Sequence, residues 1–361
     1  MNWIVCLLLT IVLIAFGFIF RKSKILWIIQ ILWMWVLMAG SKGGVDWTTH
    51  TNIFYSSNNI EIFGESWLYK LMCFPFLEKG LGFYEFNFFI STVLIVIMCY
   101  LIKKYSKNWC FVTSLIYIYP LADSIIQKRN FCALIIFLCG LLPLIKNENR
   151  CNLKYLIFTI IAAQIHPSYY LYLIILPLVH LKDVKLNNYI KILVPVCFMS
   201  IPFIPKIALL FVPAAKVNFY FYKLKIPFYQ SVCWWILQIT FTFLFSKIIK
   251  TNDEINKFLG NDYIENNRLI KLNKIMFLFM PFYYYEPTFF RFYRNILFAN
   301  YIECSKIFDN TDVLYKKTFS TVGLMICFAI VVFLSQFVFF GKGFEYLVVP
   351  IFEQNSLLGG F

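Results

Sequence analysis

Charge is scarce in this sequence. Only 14% of its 361 residues are Asp, Glu, Lys or Arg, while 61% are hydrophobic. A soluble domain is nearer a quarter charged and half apolar, so an aqueous globule with one core is excluded. Metal and nucleotide signatures are missing too. There is no P-loop, GxGxxG, HExxH or Asp-x-Asp pattern, which removes the usual ways of holding a nucleotide, a catalytic zinc or a metal-bound nucleotide-sugar. None of the 11 cysteines forms a CxxC pair, and Cys6, Cys99, Cys132, Cys139, Cys197, Cys233 and Cys327 fall within apolar runs. They read as small apolar residues, with no support for a zinc site or a disulfide framework. No metal and no cofactor is expected. No basic residue precedes the first apolar run and no small-residue cleavage pattern follows it, so that run is expected to stay in the protein. Internal repeats and long Ser/Gly/Pro linkers are also lacking.

What is present is lipid-soluble sequence. Mean hydropathy is +0.72, and aromatic residues make up 20% of the chain, with 42 Phe and 23 Tyr. A spanning helix needs about 20 mostly apolar residues. Clear runs lie at 3–20, 25–39, 86–102, 109–126, 130–145, 189–211, 227–247 and 318–340. Two further stretches are broken: 155–181 by His166-Pro167, and 275–304 by Glu286-Pro287. Each reads as a pair of short or tilted helices or as a re-entrant hairpin, whose irregular backbone must be shielded by protein or line a wet cavity. The fold class is therefore all-α, a polytopic transmembrane bundle of about 10–12 helices, some short or re-entrant. It forms one membrane domain over 1–361, with an outer loop at 40–85 and a cytoplasmic loop at 247–274.

Net charge of +15 would suggest nucleic acid in a soluble protein. Here it has a simpler source, the basic loops that orient a membrane protein, and no nucleic-acid partner is expected. Arg21, Lys22 and Lys24 follow the first run with no acid among them. This places that loop in the cytoplasm and both termini outside. Alternation then puts 21–24, 103–107, 146–154, 182–191, 247–274 and 303–317 inside, and these hold 21 of the 33 Lys and Arg.

The 12 remaining basic residues lie on the disfavoured side. Lys128 and Arg129 stand in Gln127-Lys128-Arg129-Asn130, between two apolar runs with almost no loop. A helix start offers free N–H groups and a positive dipole end, to which an arginine adds a planar donor fork. This is a phosphate site in outline; the plainer reading is interfacial snorkelling. Arg291 and Arg294 are one turn apart, just after the second break. Two guanidiniums in an apolar helix should face an interior or a wet cavity; a structural ion pair with Glu286 is the plainer alternative. His166, at the outer end of the first broken stretch, is either a structural residue or a proton acceptor near neutral pH. His180 and His50 look less special, one near the inner interface and one in an outer loop. Asp46 and Glu65 are outer carboxylates beside Trp47 and Trp67. They are either merely solvated or placed to bind sugar hydroxyls, with the indoles stacking on pyranose faces. An anion site on the outer face, with no nucleotide motif, suggests a lipid phosphate.

Four segments in order resemble the EpsG-like family of bacterial polysaccharide polymerases, related in role to Wzy-type repeat-unit polymerases. Gly43-Gly44-Val45-Asp46-Trp47 is similar to the family's Gly-x-Asp-Tyr segment. Phe63-Gly64-Glu65-Ser66-Trp67-Leu68-Tyr69 is similar to its Glu-Pro/Ser-Gly-Phe segment. Residues 127–134 resemble its Arg-Gln-x-x-Ala helix start, and Ile165-His166-Pro167-Ser168-Tyr169 its Phe-His-x-Ser segment. Arg291 and Arg294 match a late arginine helix. Trp47 stands for the usual Tyr, Asn130 for the common Gln after the arginine, and Pro167 follows the histidine.

The resemblance implies metal-independent glycosyl transfer at the outer leaflet of a bacterial cytoplasmic membrane. Donor and acceptor would be polyprenyl-pyrophosphate-linked glycans, in capsule, O-antigen or exopolysaccharide synthesis. His166, Arg129, Glu65 and Asp46 would be catalytic, while Lys128, Gln127, Arg291, Arg294, Trp47 and Trp67 would bind substrate. A flippase and a chain-length regulator are candidate protein partners. Two other classes fit such a chain. A flippase for lipid-linked sugars is expected to show two similar halves, which are not seen. A membrane O-acyltransferase needs an acyl-donor site, for which no motif is found.

Overall fold

The computed structural model describes residues 2–62, 64–210, 213–258, 267–310, 315–340 and 343–359. Phe63, parts of the 247–274 and 303–317 loops, and both ends of the 341–361 tail lie outside these. The chain is helical, and among the described residues the only extended pairing is one isolated bridge, Ser41 with Asn355.

The first nine helices are α1 (Trp3–Ile19), α2 (Lys24–Ala39), α3 (Trp47–Tyr55), α4 (Trp67–Glu78), α5 (Phe83–Tyr105), α6 (Trp109–Ile118), α7 (Leu121–Ile126), α8 (Lys128–Ile145) and α9 (Cys151–Ile165). Their starts follow local chemistry. Asn2 accepts the Ile4 N–H at 2.9 Å, and Ser23 Oγ accepts the Leu26 N–H at 3.3 Å, so each side chain satisfies an amide that the first turn leaves open. The apolar run 109–126, read above as one helix, is two. It breaks at Tyr119-Pro120, where Tyr119 is extended (φ −163°, ψ 125°). Proline has no N–H to continue the ladder and pushes its predecessor out of the helical region.

The broken stretches break where expected. After α9, His166 is extended (φ −139°, ψ 108°), and a 3-10 helix, Pro167–Ile174, leads into α10 (Ile175–Val179). The second stretch runs through α15 (Asn267–Ile275), a 3-10 helix Met276–Tyr284, extended Glu286 and a 3-10 turn Pro287–Phe290, into α16 (Arg291–Ser305). The run 189–211 also departs from one straight helix. Helix α11 (Asp183–Met199) meets the Ile201–Ala208 segment at a 55° bend, where Pro202 and Pro205 interrupt the ladder. The short helices α12 (Ile204–Ala208) and α13 (Ala214–Asn218) precede α14 (Phe228–Phe258), which with α17 (Tyr315–Leu334) completes the long elements. Among the described residues, four helical segments can cross a bilayer alone by length and composition, Phe83–Tyr105, Lys128–Ile145, Phe228–Ile255 and Val322–Phe339, and the bent pair makes a fifth. Helices α1, α2 and α9 are apolar but shorter, at 15–17 residues, near the lower limit for a span. The protein is a multi-pass helical membrane protein.

Contacts divide the chain into two compact units. One comprises Met1–Leu173, Tyr301–Thr311 and Ala329–Phe361; the other comprises Ile174–Asn300 and Asp312–Phe328. In the first unit, four of the basic loops converge at one end. Cys110 N–H donates to Arg21 O at 3.1 Å. Asn108 Nδ2 donates to Ser305 O and Asp309 Oδ1 at 2.8 and 2.9 Å. Lys146 meets Glu303 at 2.6 Å, and Lys104 meets Glu148 at 3.0 Å. Hydrogen bonds from Tyr105 and Lys104 outweigh the effect of burial and hold the Glu148 carboxyl below its usual range. At the opposite end the loop 40–46 binds the tail, with Lys42 N–H on Gln354 O at 2.8 Å and Ser356 N–H on Gly40 O at 2.9 Å.

The second unit is threaded by buried polar groups. Asn273 and Asn300 exchange side-chain hydrogen bonds of 2.7 and 3.0 Å. Tyr293 OH donates to Asn273 Oδ1 at 3.3 Å and accepts from Thr242 Oγ1 at 3.4 Å. In hydrocarbon an unsatisfied amide is expensive, so these mutual bonds let asparagines stand inside an apolar unit.

Candidate functional site

Three junctions of the first unit meet at the end away from the basic loops: α2–α3, the start of α4, and α7–α8. Helix α2 ends against donors. Asn87 Nδ2 bonds Met38 O, Ala39 O and Ser41 O at 3.2–3.3 Å, and Asn355 Nδ2 bonds Val36 O at 2.9 Å. These satisfy carbonyls that the last turn leaves open. The loop that follows needs two glycines. Gly44 has φ +107° and donates its N–H to Gln354 Oε1 at 3.1 Å. A Cβ on Gly43 would lie 1.5 Å from that same oxygen. The loop delivers Asp46 and Trp47 to the start of α3. Trp47 packs on Phe83 with centroids 4.8 Å apart.

One turn further, His50 is 5% exposed and stacks on Phe83 at 6.0 Å and 20°. Its Nε2 lies 3.2 Å from Ile126 O. A carbonyl only accepts, so Nε2 carries the proton and Nδ1 presents a bare lone pair. That Nδ1 is buried and makes no hydrogen bond. Burial, with the charges of Arg129 and Lys128 next, lowers the His50 pKa from 6.5 to about 3. Sequence reasoning set His50 aside. The only signal it gave was its place one turn after Asp46 and Trp47.

The α7–α8 junction carries Gln127, Lys128 and Arg129. Gln127 N–H closes α7 on Asp123 O at 2.7 Å, and α8 begins with Phe131 N–H on Gln127 O at 3.0 Å. Lys128 is 7% exposed. Its Nζ reaches Met38 O at 3.3 Å and lies 5.8 Å from the Trp47 ring. Its charge thus serves the carbonyl end of α2, where a cation is favoured. Arg129 points elsewhere. Its Nη1 donates to Ser66 Oγ at 2.9 Å and lies 3.9 Å from Glu65 Oε1. The Glu65 side chain is 40% exposed and that of Arg129 19%. An ion pair this long and this wet is worth about 0–1 kcal/mol.

Helix α4 opens from Ser66, which holds the left-handed φ of 57° and is buried. The next residue, Trp67, donates Nε1–H to Gln164 Oε1 at 2.5 Å, tying α4 to the last turn of α9. Two residues on stands His166, half-buried, with Nδ1 2.7 Å from Ser168 Oγ. Tyr169 OH then donates to Asn130 O at 3.2 Å, one residue past Arg129. Thus Glu65, Trp67, Arg129 and His166 are linked through Ser66, Gln164 and Asn130, while Asp46, Trp47, Lys128 and His50 are linked through Phe83 and Met38. Residues spread over 120 positions of sequence share one end of the unit.

Arg291 and Arg294 stand in the second unit, in the first turn of α16. Arg294 is 4% exposed, and Arg291 Cζ is 5.9 Å from the Phe289 ring. Glu286 caps the preceding turn, accepting from Thr288 N at 2.9 Å and from the Thr288 hydroxyl.

Among the described residues no three His, Cys, Asp or Glu gather as metal ligands, and no disulfide joins any of the cysteines. Lys128 and Arg129 set two basic side chains at a helix start, an arrangement that suits an anion. No curated protein and no solved structure matches the chain. The model of the EpsG family matches residues 24–221, which is more than half of the sequence and holds each of the first-unit site residues. With a glycine loop, an arginine helix start and a broken His-Pro segment meeting within a multi-pass helical bundle, the chain belongs to the EpsG family, whose role lies in polysaccharide synthesis.

Proposed function

We propose that this protein polymerises oligosaccharide repeat units carried on polyprenyl pyrophosphate, at the outer leaflet of a bacterial cytoplasmic membrane. The observation that carries the reading is Arg129 in the first turn of α8, whose Nη1 donates to Ser66 Oγ beside Glu65. In this reading the end holding the 21–24, 103–107, 146–154 and 303–309 loops faces the cytoplasm, as basic loops prefer. The opposite end then works at the outer leaflet.

The reaction breaks the bond between the anomeric carbon of the growing glycan and a pyrophosphate oxygen. A hydroxyl of the incoming lipid-linked unit forms the new glycosidic bond, and its proton passes to a base. Polyprenyl pyrophosphate leaves with the electron pair. Negative charge grows on that leaving group, so donors fixed beforehand lower the barrier. Arg129 and the N–H groups of the α8 start supply them, with Gln127 and Lys128 alongside. Glu65, His166 and Asp46 are the candidate bases. Glu65 lies nearest the guanidinium, and His166 and Asp46 approach from neighbouring junctions. Trp47 and Trp67 border the acceptor sugar; Arg291 and Arg294, in the second unit, are substrate-binding candidates in their own right. A flippase would supply the units and a chain-length regulator would limit the product.

The test is the lipid-linked glycan profile of a host with the gene deleted and then complemented. Loss of long polymer with single units kept on outer-leaflet lipid is expected, with recovery by the parent gene and none by Arg129→Ala. Polymer of normal length lacking an acyl group would favour an O-acyltransferase. Units retained on the inner leaflet would favour a flippase.

A further inference from the structure

The geometry points to His50 as the positioning residue of the anion site: its ring holds the α7–α8 elbow on which Lys128 and Arg129 stand. The inference rests on the reading of that elbow as a pyrophosphate site. It does not depend on polymerisation being the reaction.

The elbow has little local support. Helix α7 has six residues, and Gln127 leaves the helical region with ψ 59° before α8 starts. Ile126 O lies in the last turn of α7, where no further N–H of the helix can reach it. His50 Nε2–H meets that oxygen at 3.2 Å from α3, 76 residues away in sequence. Two basic residues follow within three residues, and a neutral donor adds no charge beside them. A lysine or arginine would add a third charge, whereas a buried imidazole stays uncharged there. Stacking on Phe83 fixes the ring plane, and the backbone bond from His50 N to Asp46 O at 3.0 Å joins the ring to the acidic loop. One side chain thus sets the spacing between the acidic loop and the cationic elbow. An error of about 1 Å in such a spacing costs on the order of 100-fold in rate.

The experiment uses the full chain in nanodiscs and measures binding of inorganic pyrophosphate and of polyprenyl pyrophosphate. Two variants separate the hydrogen bond from the packing. His50→Phe keeps a ring on Phe83 and removes the donor; His50→Gln keeps a neutral N–H within reach of Ile126 O. The inference expects His50→Phe to bind both probes at least tenfold more weakly and His50→Gln to stay within threefold of the parent. Parent-like binding by His50→Phe overturns it. Binding by His50→Gln as weak as that of His50→Phe also overturns it, since the donor alone is then insufficient. Should His50→Phe fail to accumulate, the same threefold criterion on His50→Gln decides. The expected loss of binding by His50→Phe, together with a deletion that leaves polymer length in the host unaffected, would leave this inference standing and remove the polymerase reading.

Discussion

Ser66 Oγ accepts a hydrogen bond from Arg129 Nη1 at 2.9 Å, and it does so from a left-handed backbone. A non-glycine residue with φ near +57° carries local strain that surrounding structure must offset. Replacing Ser66 with glycine therefore separates two effects. The backbone relaxes, worth up to about 1 kcal/mol, while the guanidinium loses its acceptor. Ser66→Gly is expected to raise or preserve the melting temperature of the purified protein and to lower polymer synthesis in complemented cells. A variant that loses both stability and synthesis would show that the hydroxyl serves the fold.

Arg129→Lys keeps the charge and removes the planar fork. Bidentate recognition of phosphate is lost in that exchange. Synthesis is expected to fall at least tenfold with Arg129→Lys and to be undetectable with Arg129→Ala, while membrane abundance stays at the parent level. Lysine supporting full synthesis would mean that charge alone suffices.

The Gly43 position gives a paired test. A Cβ there would press on three atoms of the Gln354 side chain, at 1.5, 2.5 and 2.9 Å. Gly43→Ala is expected to cost about 1–3 kcal/mol, as overpacking does, and to reduce synthesis. Gln354→Ala removes two of those atoms, so the double variant should recover part of the lost stability in a thermal melt. Strictly additive losses would place the damage elsewhere.

Acid should weaken the fold through His50. In the unfolded chain the ring takes up a proton near its ordinary pKa of 6.5, whereas the folded ring resists until about 3. Between those values the unfolded state holds more protons. Stability is therefore complete above about 6.5 and declines as pH falls through the window, at up to about 1.4 kcal/mol per pH unit. Burial is the main cause, with Arg129 and Lys128 adding to it and the Ile126 carbonyl opposing. Melting temperatures from pH 7 to pH 4 are expected to fall more steeply for the parent than for His50→Gln. Parallel curves would remove His50 as the source.

At the basic end, Glu303 is 1% exposed and bridges Lys146 at 2.6 Å and Lys306 at 3.0 Å. The two lysines are 20% and 24% exposed and can turn to water, so removing the carboxylate costs mainly its charge-assisted hydrogen bonds, about 1–3 kcal/mol. Glu303→Gln is expected to lower the melting temperature markedly, whereas Glu148→Gln, whose side chain is 26% exposed, should cost less.

The sequence made the breaks at His166-Pro167 and Glu286-Pro287 visible, because a proline after a polar residue interrupts an apolar run in plain view. The helix start at Lys128-Arg129 was equally plain, since two charges between apolar runs can stand only at an end. The break at Tyr119-Pro120 was not, because both residues sit comfortably in apolar sequence and hydropathy does not register a missing N–H. His50 was hidden for a different reason. Its partner is a backbone carbonyl 76 residues away, and such a contact leaves no trace in residue type. Lys128 looked like a second open cation until its Nζ was found against Met38 O.

The hydrogen bond from Gly44 to Gln354 spans 310 residues. Synthesis runs from the amino end, so the loop before Asp46 enters the membrane long before the side chain that braces it exists. The cluster is therefore completed only after Gln354 has left the ribosome, and a chain inserted short of that residue lacks the braced loop.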